Sequence, residues 1–368
     1  MKQFLLISFF SISTLSFCQT KSESLDYIFD SEVFLGERTI SVFIPESYNS
    51  EDSTRKFNVA YLFDGQFQPY FSIVSSIMSY YEQTNEGIPL IIVAVHTKNR
   101  WGEFVPLCEE EKTENIEAAD KLSLFLKNEV IPLIESNYRT TNFKIGIGHS
   151  LGGTFVINEI IKDNSLFNAT IAVSPNLTMC NEQIIKRAKE FYTANPDNRR
   201  FIYASTGTVG DMEIGFRKSL VQLDSITTKM NLKKMYWNCE IQEGHNHMTT
   251  FVPTFDAGYL KISSNLSLLD GDLQVMSNDS TSSIVPLIID FYAELSLFSQ
   301  EHHELSIDQI MKHASTLAQF GKYRACIDLC EYASERLENE DLSSDKKKEI
   351  TEMTKYMTKI YRYRFPLA

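Results

Sequence analysis

Hydrophobic positions in the first two-thirds of this chain fall into short runs of two kinds. Glu37–Pro45 (ERTISVFIP) alternates apolar with polar residues and is rich in β-branched side chains, as a strand requires. Phe57–Phe63 (FNVAYLF) is a second strand and runs into Asp64-Gly65-Gln66. Leu90–Val95 (LIIVAV) is almost continuously apolar, as expected of a parallel strand covered on both faces. Ile116–Asn137 instead carries Leu122, Phe125, Leu126, Val130, Leu133 and Ile134 at helical spacing, with Pro132 late enough to predict a kink. A short apolar run from Lys144, an amphipathic helix to about Lys162, and strands at Ala169–Ser174, Phe201–Ser205 and Tyr236–Ile241 complete the pattern. Short strands alternating with amphipathic helices predict an α/β fold, a mostly parallel sheet with helices on both faces.

The pattern changes after Ile262. Ser263–Ser283 is polar and turn-rich, and no strand signal follows it. Ile284–Ser299, Ile307–Phe320, Tyr323–Leu337 and Ser344–Tyr363 all have helical periodicity. Phe320-Gly321-Lys322-Tyr323, with Ala325 and Ala333 beyond it, resembles the turn of a tetratricopeptide-type hairpin, without a second copy of the period. The expected organisation is a signal peptide over 1–18, an α/β domain over 19–264 and an all-helical region over 284–368.

The N-terminal assignment rests on Lys2, the apolar Phe4–Leu15 stretch and small residues at Ser16 and Cys18, which predict cleavage after Cys18 and an exported, periplasmic or secreted protein. Phe17 fits lipidation of Cys18 poorly. With 43% hydrophobic residues among 368, a sizeable core is assured. A net charge of −13 argues against a nucleic-acid partner and against an anionic membrane surface, and no later stretch is apolar enough to span a bilayer. The five cysteines left after cleavage (108, 180, 239, 326 and 330) repeat no spacing and are expected to be buried thiols.

The chemistry concentrates in Lys144–Gly153, KIGIGHSLGG. Gly148-His149-Ser150-Leu151-Gly152 is a G-x-S-x-G pentapeptide between a strand and a helix. A serine oxygen becomes a useful nucleophile when it stands clear of the backbone, within reach of a base and two N–H donors. A sharp strand-to-helix turn does this but leaves no room for side chains two residues away. Glycines at 148 and 152 meet that demand, and Gly153 lets the helix pack close. Ser150 is the expected nucleophile.

With these pieces in order, GERTISVFIPESY (36–48), YLFDGQ (61–66), NRWGEFVP (99–106), VIPLIESNYRT (130–140), IGHSLGG (147–153), LFNATIAVSPNL (166–177), TGTVGDME (206–213) and GHNHMTTF (244–251), the chain resembles the putative-esterase family of α/β-hydrolases over about residues 30–260. That family includes siderophore, feruloyl, acetyl-xylan and S-formylglutathione esterases and mycolyltransferases. The helical addition resembles that of exported bacterial versions. The resemblance implies a triad in chain order serine, acid, histidine. Of seven histidines, His96 precedes the serine and His149 sits inside its turn. His302, His303 and His313 lie in the helical region, expected on a solvated face. His247 and His245 remain; the family pattern favours His247 as base and leaves His245 as a neighbour lining the site or simply an exposed polar residue. It likewise favours Glu213 as acid, with Asp211 as alternative and Asp224 further along. The implied oxyanion donors are the N–H of Leu151 and that of Gly65 or Gln66. Arg100 either binds an acidic or hydroxylated substrate or pairs with a carboxylate.

These residues predict hydrolysis of a small-molecule or glycan carboxylic ester, a sugar ester or siderophore lactone, through an acyl-enzyme. The mechanism calls for no metal and no organic cofactor. Acyl transfer to another acceptor is the alternative chemistry. A non-catalytic scaffold that meets a protein partner through its C-terminal helices is the alternative class, and intact Ser150, Gly152 and His247 weigh against it.

Overall fold

The computed structural model describes residues 24–50, 52–108, 119–230, 232, 234–278, 282–336 and 344–364, so the segment assigned as a signal peptide lies outside them. Eight strands form one sheet: β1 (Ser24–Ser31), β2 (Gly36–Phe43), β3 (Phe57–Phe63), β4 (Leu90–Val95), β5 (Thr140–His149), β6 (Ala169–Val173), β7 (Phe201–Val209) and β8 (Tyr236–Asn246). Their order across the sheet is β1-β2-β4-β3-β5-β6-β7-β8. β1 and β2 are antiparallel to each other, β2 is antiparallel to β4, and every later pairing is parallel.

The chain steps from β3 outward to β4, then returns past β3 to lay down β5 on its other side. That reversal opens a crevice at the C-terminal ends of β3 and β5, where an open α/β sheet holds its ligands. Leu62 of β3 pairs with Ile147 of β5, so Asp64-Gly65-Gln66 and Ser150 emerge as neighbours.

Each face of the sheet buries its own core. On one face Phe63, Ile91 and Ala172 pack with Leu122, Phe125, Phe155 and Ile184. On the other Leu62, Ile147 and Tyr203 pack with Phe71, Val74, Phe255 and Tyr259, from helices Gln68–Gln83 and Phe251–Leu266. The predicted helix 116–137 is broken, as Pro132 required. Ala119–Phe125 passes through a π turn at Leu126–Val130 into Ile131–Asn137, which puts Pro132 in a first turn, where its missing N–H costs little.

Helices Val285–Ser299, Ile307–Gln319, Tyr323–Arg336 and Ser344–Arg364 build a third cluster around Ile288, Ile310, Leu329 and Cys330. It is joined to the sheet. Phe298 is buried in the second sheet core, with ring centroids 5.1 Å from Phe143 and 5.1 Å from Tyr236. Glu301 accepts the Asn142 N–H at 3.0 Å. No described helix is long and apolar enough to cross a membrane.

Two expectations are corrected here. Cys108 and Cys180 form a disulfide across 72 residues, while Cys326 and Cys330 are buried free thiols and Cys239 is a half-buried one. His313 lies on no solvated face. It is buried against Tyr292, 3.0 Å from hydroxyl to Nε2, and burial, helped by Lys312, pushes its pKa down to about 4. His302 is exposed and His303 half-buried.

Candidate active site

β5 ends at His149 and the next helix, Leu151–Ile160, begins at once, so Ser150 alone makes the turn, with φ 58° and ψ −117°. That is a strained conformation for a residue with a Cβ. Backbone bonds hold it: the Ser150 N–H donates to the Val173 carbonyl at 2.9 Å, and the Ser150 carbonyl accepts the Thr154 N–H at 2.9 Å. A Cβ on Gly148 would stand 2.2 Å from the Gly152 oxygen, so nothing larger than glycine fits there. Gly152 itself differs from expectation. A Cβ on it would meet nothing closer than Phe63 at 3.5 Å, an ordinary contact, and the crowding at this turn is suffered by position 148.

Ser150 opens into a cavity of about 370 Å³ shared with Asp64, Gln66, Phe67, Tyr70, Arg100, His149, His247 and Met248. Within it, His247 Nδ1 is 2.6 Å from Glu213 Oε1. As the carboxylate accepts, Nδ1 carries the proton and Nε2 is left as the basic nitrogen. Glu213 is fully buried. Burial alone would push its pKa up; donation from His247, Thr206, the Gly207 N–H and Ser174 outweighs this and holds it down at about 2. It is therefore an ionised carboxylate at neutral pH.

His149 braces the same histidine from the other side. Its Nε2 donates to the His247 carbonyl at 2.7 Å and its Nδ1 accepts from the Tyr70 hydroxyl at 2.6 Å. Burial, with the neighbouring His247 and Arg100, lowers its pKa to about 4, so it is neutral and its tautomer is set by these two partners. Tyr70 is in turn stacked on Phe251 at 4.2 Å.

Arg100 forms a carboxylate pair. Its Nε reaches both Asp64 oxygens, at 3.0 and 3.1 Å, and Nη2 reaches the His149 carbonyl at 3.4 Å. Burial pushes the Asp64 carboxyl up, and Arg100 and Gln66 pull it part of the way back. The loop carrying Arg100 is fixed by a second pair, Arg38–Glu103, buried and bidentate at 3.0 and 2.6 Å; Glu103 also accepts the Lys98 and Asn99 N–H groups.

Not every candidate reaches the cavity. The Gly65 N–H is already donated to the Val95 carbonyl at 2.9 Å, and of the three proposed oxyanion positions only Gln66 is among the lining residues; Gly65 and Leu151 are not. Of the two readings of His245, the geometry supports the polar residue outside the site: its Nδ1 donates to the Thr249 carbonyl at 2.9 Å and it does not line the cavity, so it is not placed for substrate binding. Asp211 is exposed in the first turn of helix Asp211–Met230, and Asp224 accepts the Trp237 indole N–H at 2.7 Å. Sequence reasoning passed over Tyr70, Ser174, Thr206 and the bridging role of His149. Thr206, Ser174 and His149 lie in the TGTVGDME, LFNATIAVSPNL and IGHSLGG stretches, which were the available signals; their contacts exist only because separate strands end side by side.

A buried carboxylate bonded to an imidazole, and a serine on a strained turn lining the same cavity as that imidazole, are together equipped for nucleophilic acyl transfer. The model of one protein family, described as putative esterase, matches residues 31–262. No curated protein matches the chain. Among solved structures, an IroE-like serine hydrolase from Shewanella oneidensis superposes with a TM-score of 0.67 at 18% identity, over 85% of this chain and 99% of that one. A protein from Capnocytophaga ochracea gives 0.65 at 15% identity, over 85% and 84%. The siderophore hydrolase EstA from Aspergillus nidulans gives 0.54 at 18% identity, over 66% and 95%. At these identities the structural matches speak for the fold, and the first two extend it beyond residues 31–262.

Proposed function

From the premise that this chain belongs to the putative-esterase family and is a carboxylic ester hydrolase, we propose that it works through a Ser150–His247–Glu213 triad and an acyl-enzyme. The observation that carries the reading is the 2.6 Å bond from His247 to an ionised, buried Glu213, in the cavity that Ser150 lines. His247 Nε2 takes the Ser150 proton as Oγ attacks the ester carbonyl. The N–H groups of Leu151 and Gln66 receive the oxyanion, each such donor contributing about 3–4 kcal/mol to the barrier reduction. The imidazolium then protonates the departing alcohol. Water, deprotonated by the same nitrogen, releases the acid. Glu213 stays ionised throughout; it orients the ring and stabilises its charge.

Ser150→Ala should lose fluorophosphonate labelling and on the order of 10⁴–10⁶-fold in kcat, and His247→Ala nearly as much, because nucleophile and base act as a unit. His245→Ala should cost about tenfold or less. A greater loss at 245 than at 247, measured as kcat/KM on one activated ester, would overturn the assignment. The name of the neighbouring siderophore hydrolase makes a siderophore lactone one ester to test, and the family resemblance makes an acetylated sugar another. An added sugar or lipid alcohol that diverts the acyl group from water would move the reading to acyl transfer.

Export accompanies this proposal. The N-terminal segment reads as a signal, and a Cys108–Cys180 disulfide suits an oxidising compartment. Mass spectrometry of the mature protein should find Gln19 as its first residue.

A further inference from the structure

Resting on the serine-esterase reading above, we propose that the substrate is an uncharged ester with an extended apolar tail, an alkyl chain of several carbons, which lies on an apolar rim outside the Ser150 cavity. We draw the rim from six large apolar side chains that follow the strand ends at this edge of the sheet, Phe67, Trp101, Met212, Ile214, Met248 and Val252, each between 42% and 63% exposed. Phe67 and Met248 also line the cavity. Trp101 follows Arg100 in sequence, and Met212 and Ile214 flank Glu213. Val252 follows Phe251, the ring stacked on Tyr70. The six leave the sheet after β3, β4, β7 and β8, whose C-terminal ends all point to this edge. Exposed apolar residues scattered singly need no explanation, but six on the segments that leave one edge of the sheet, two of them lining the cavity, offer a surface that water leaves readily.

Charge points the same way. Arg100 is the one cation among the described residues lining the cavity, and its charge is balanced by Asp64, which its Nε contacts through both carboxylate oxygens while Nη2 reaches the His149 carbonyl. An anionic ester would therefore meet a paired, net-neutral wall and would lose hydration without a counter-charge. An alkyl tail gains about fourfold in binding for each methylene fully buried, and less where one side stays wet.

The test is kcat/KM for p-nitrophenyl acetate, butyrate and octanoate, each below its micellar concentration, beside the p-nitrophenyl hemisuccinate, which matches butyrate in length but carries a charge. The expected result is a rise of about 10- to 100-fold from acetate to octanoate, with hemisuccinate below butyrate. Met212→Ser/Ile214→Ser and Trp101→Ser should each lower the octanoate-to-acetate ratio at least about fivefold. The same length dependence should appear in labelling rates with ethyl and decyl fluorophosphonates, which need only the nucleophile. A flat or falling profile, a preference for hemisuccinate, or a ratio unmoved by the variants would overturn the proposal. So would variants that leave the ratio alone and change the mass in light scattering, since the rim would then join copies of the chain. Absence of labelling with every probe would instead sink the serine-esterase reading itself.

Discussion

Glu213 spends its burial on being a better anion. Four donors converge on its two oxygens, and together they hold its pKa at about 2 against an ordinary value of 4.5. The unfolded chain binds that proton more readily, so the carboxylate contributes stability above pH 4.5 and loses it as pH falls toward 2. Glu213→Gln should therefore lower the melting temperature at pH 7, with the gap to wild type closing between pH 4.5 and 2; a gap that ignores pH would mean that the charge is not what the donors hold. His149 titrates in the opposite sense. Its pKa falls from 6.5 to about 4, chiefly by burial, so its neutral form costs stability progressively as pH drops through that window. At this scale the candidate reactive groups were legible in the sequence and their supports were not. Ser150 announces itself by the glycines around it, and His247 and Glu213 by short motifs. Tyr70 and His149 are 79 residues apart and meet through packing that no spacing encodes.

The strand-to-helix turn is the element on which the chemistry stands, and its two glycines are unequal. Gly148→Ala drives a Cβ into backbone, 2.2 Å from the Gly152 oxygen, and should cost about 1–3 kcal/mol or more together with at least a tenfold slower fluorophosphonate labelling. Gly152→Ala meets only ordinary contacts and should keep the fold and most of the labelling. Equal losses at the two positions would mean that the turn tightens in solution beyond what the Cβ distances describe. Most elements were legible because their periodicity was strong: helices 307–319 and 323–336 end within a residue of expectation. β1 was not read at all. As the edge strand it exposes Leu25 and Ile28 while Tyr27 and Phe29 are only partly covered, which blurs the alternation that marks a strand. The disulfide was missed because Cys108 and Cys180 become neighbours only after two loops fold together.

Across the whole molecule, composition suggested a boundary after Ile262 and packing bridges it. Phe298, 3% exposed, completes the core beneath Phe143, Phe201 and Tyr236. Phe298→Ala should cost about 3–5 kcal/mol of global stability, the usual toll for emptying a buried aromatic site. In urea, loss of activity and loss of helical signal should shift together. If the activity midpoint stays in place while part of the helical signal melts early, the helices unfold separately from the sheet. Composition could not reveal this tie, since a few side chains, Phe298 and Glu301 among them, make it.

The hold on Ser150 is made of main chain: its N–H on the Val173 carbonyl, its own carbonyl on Thr154, and the approach of Gly152 to Gly148. Main chain is common to every residue type. Descendants of one ancestor can thus replace most of their side chains and still present a serine in the same attitude, provided a glycine persists two positions before it. A structure only 18% identical still shares this fold over 85% of the chain. Divergence in this lineage has had little to lose at the turn and much room around it.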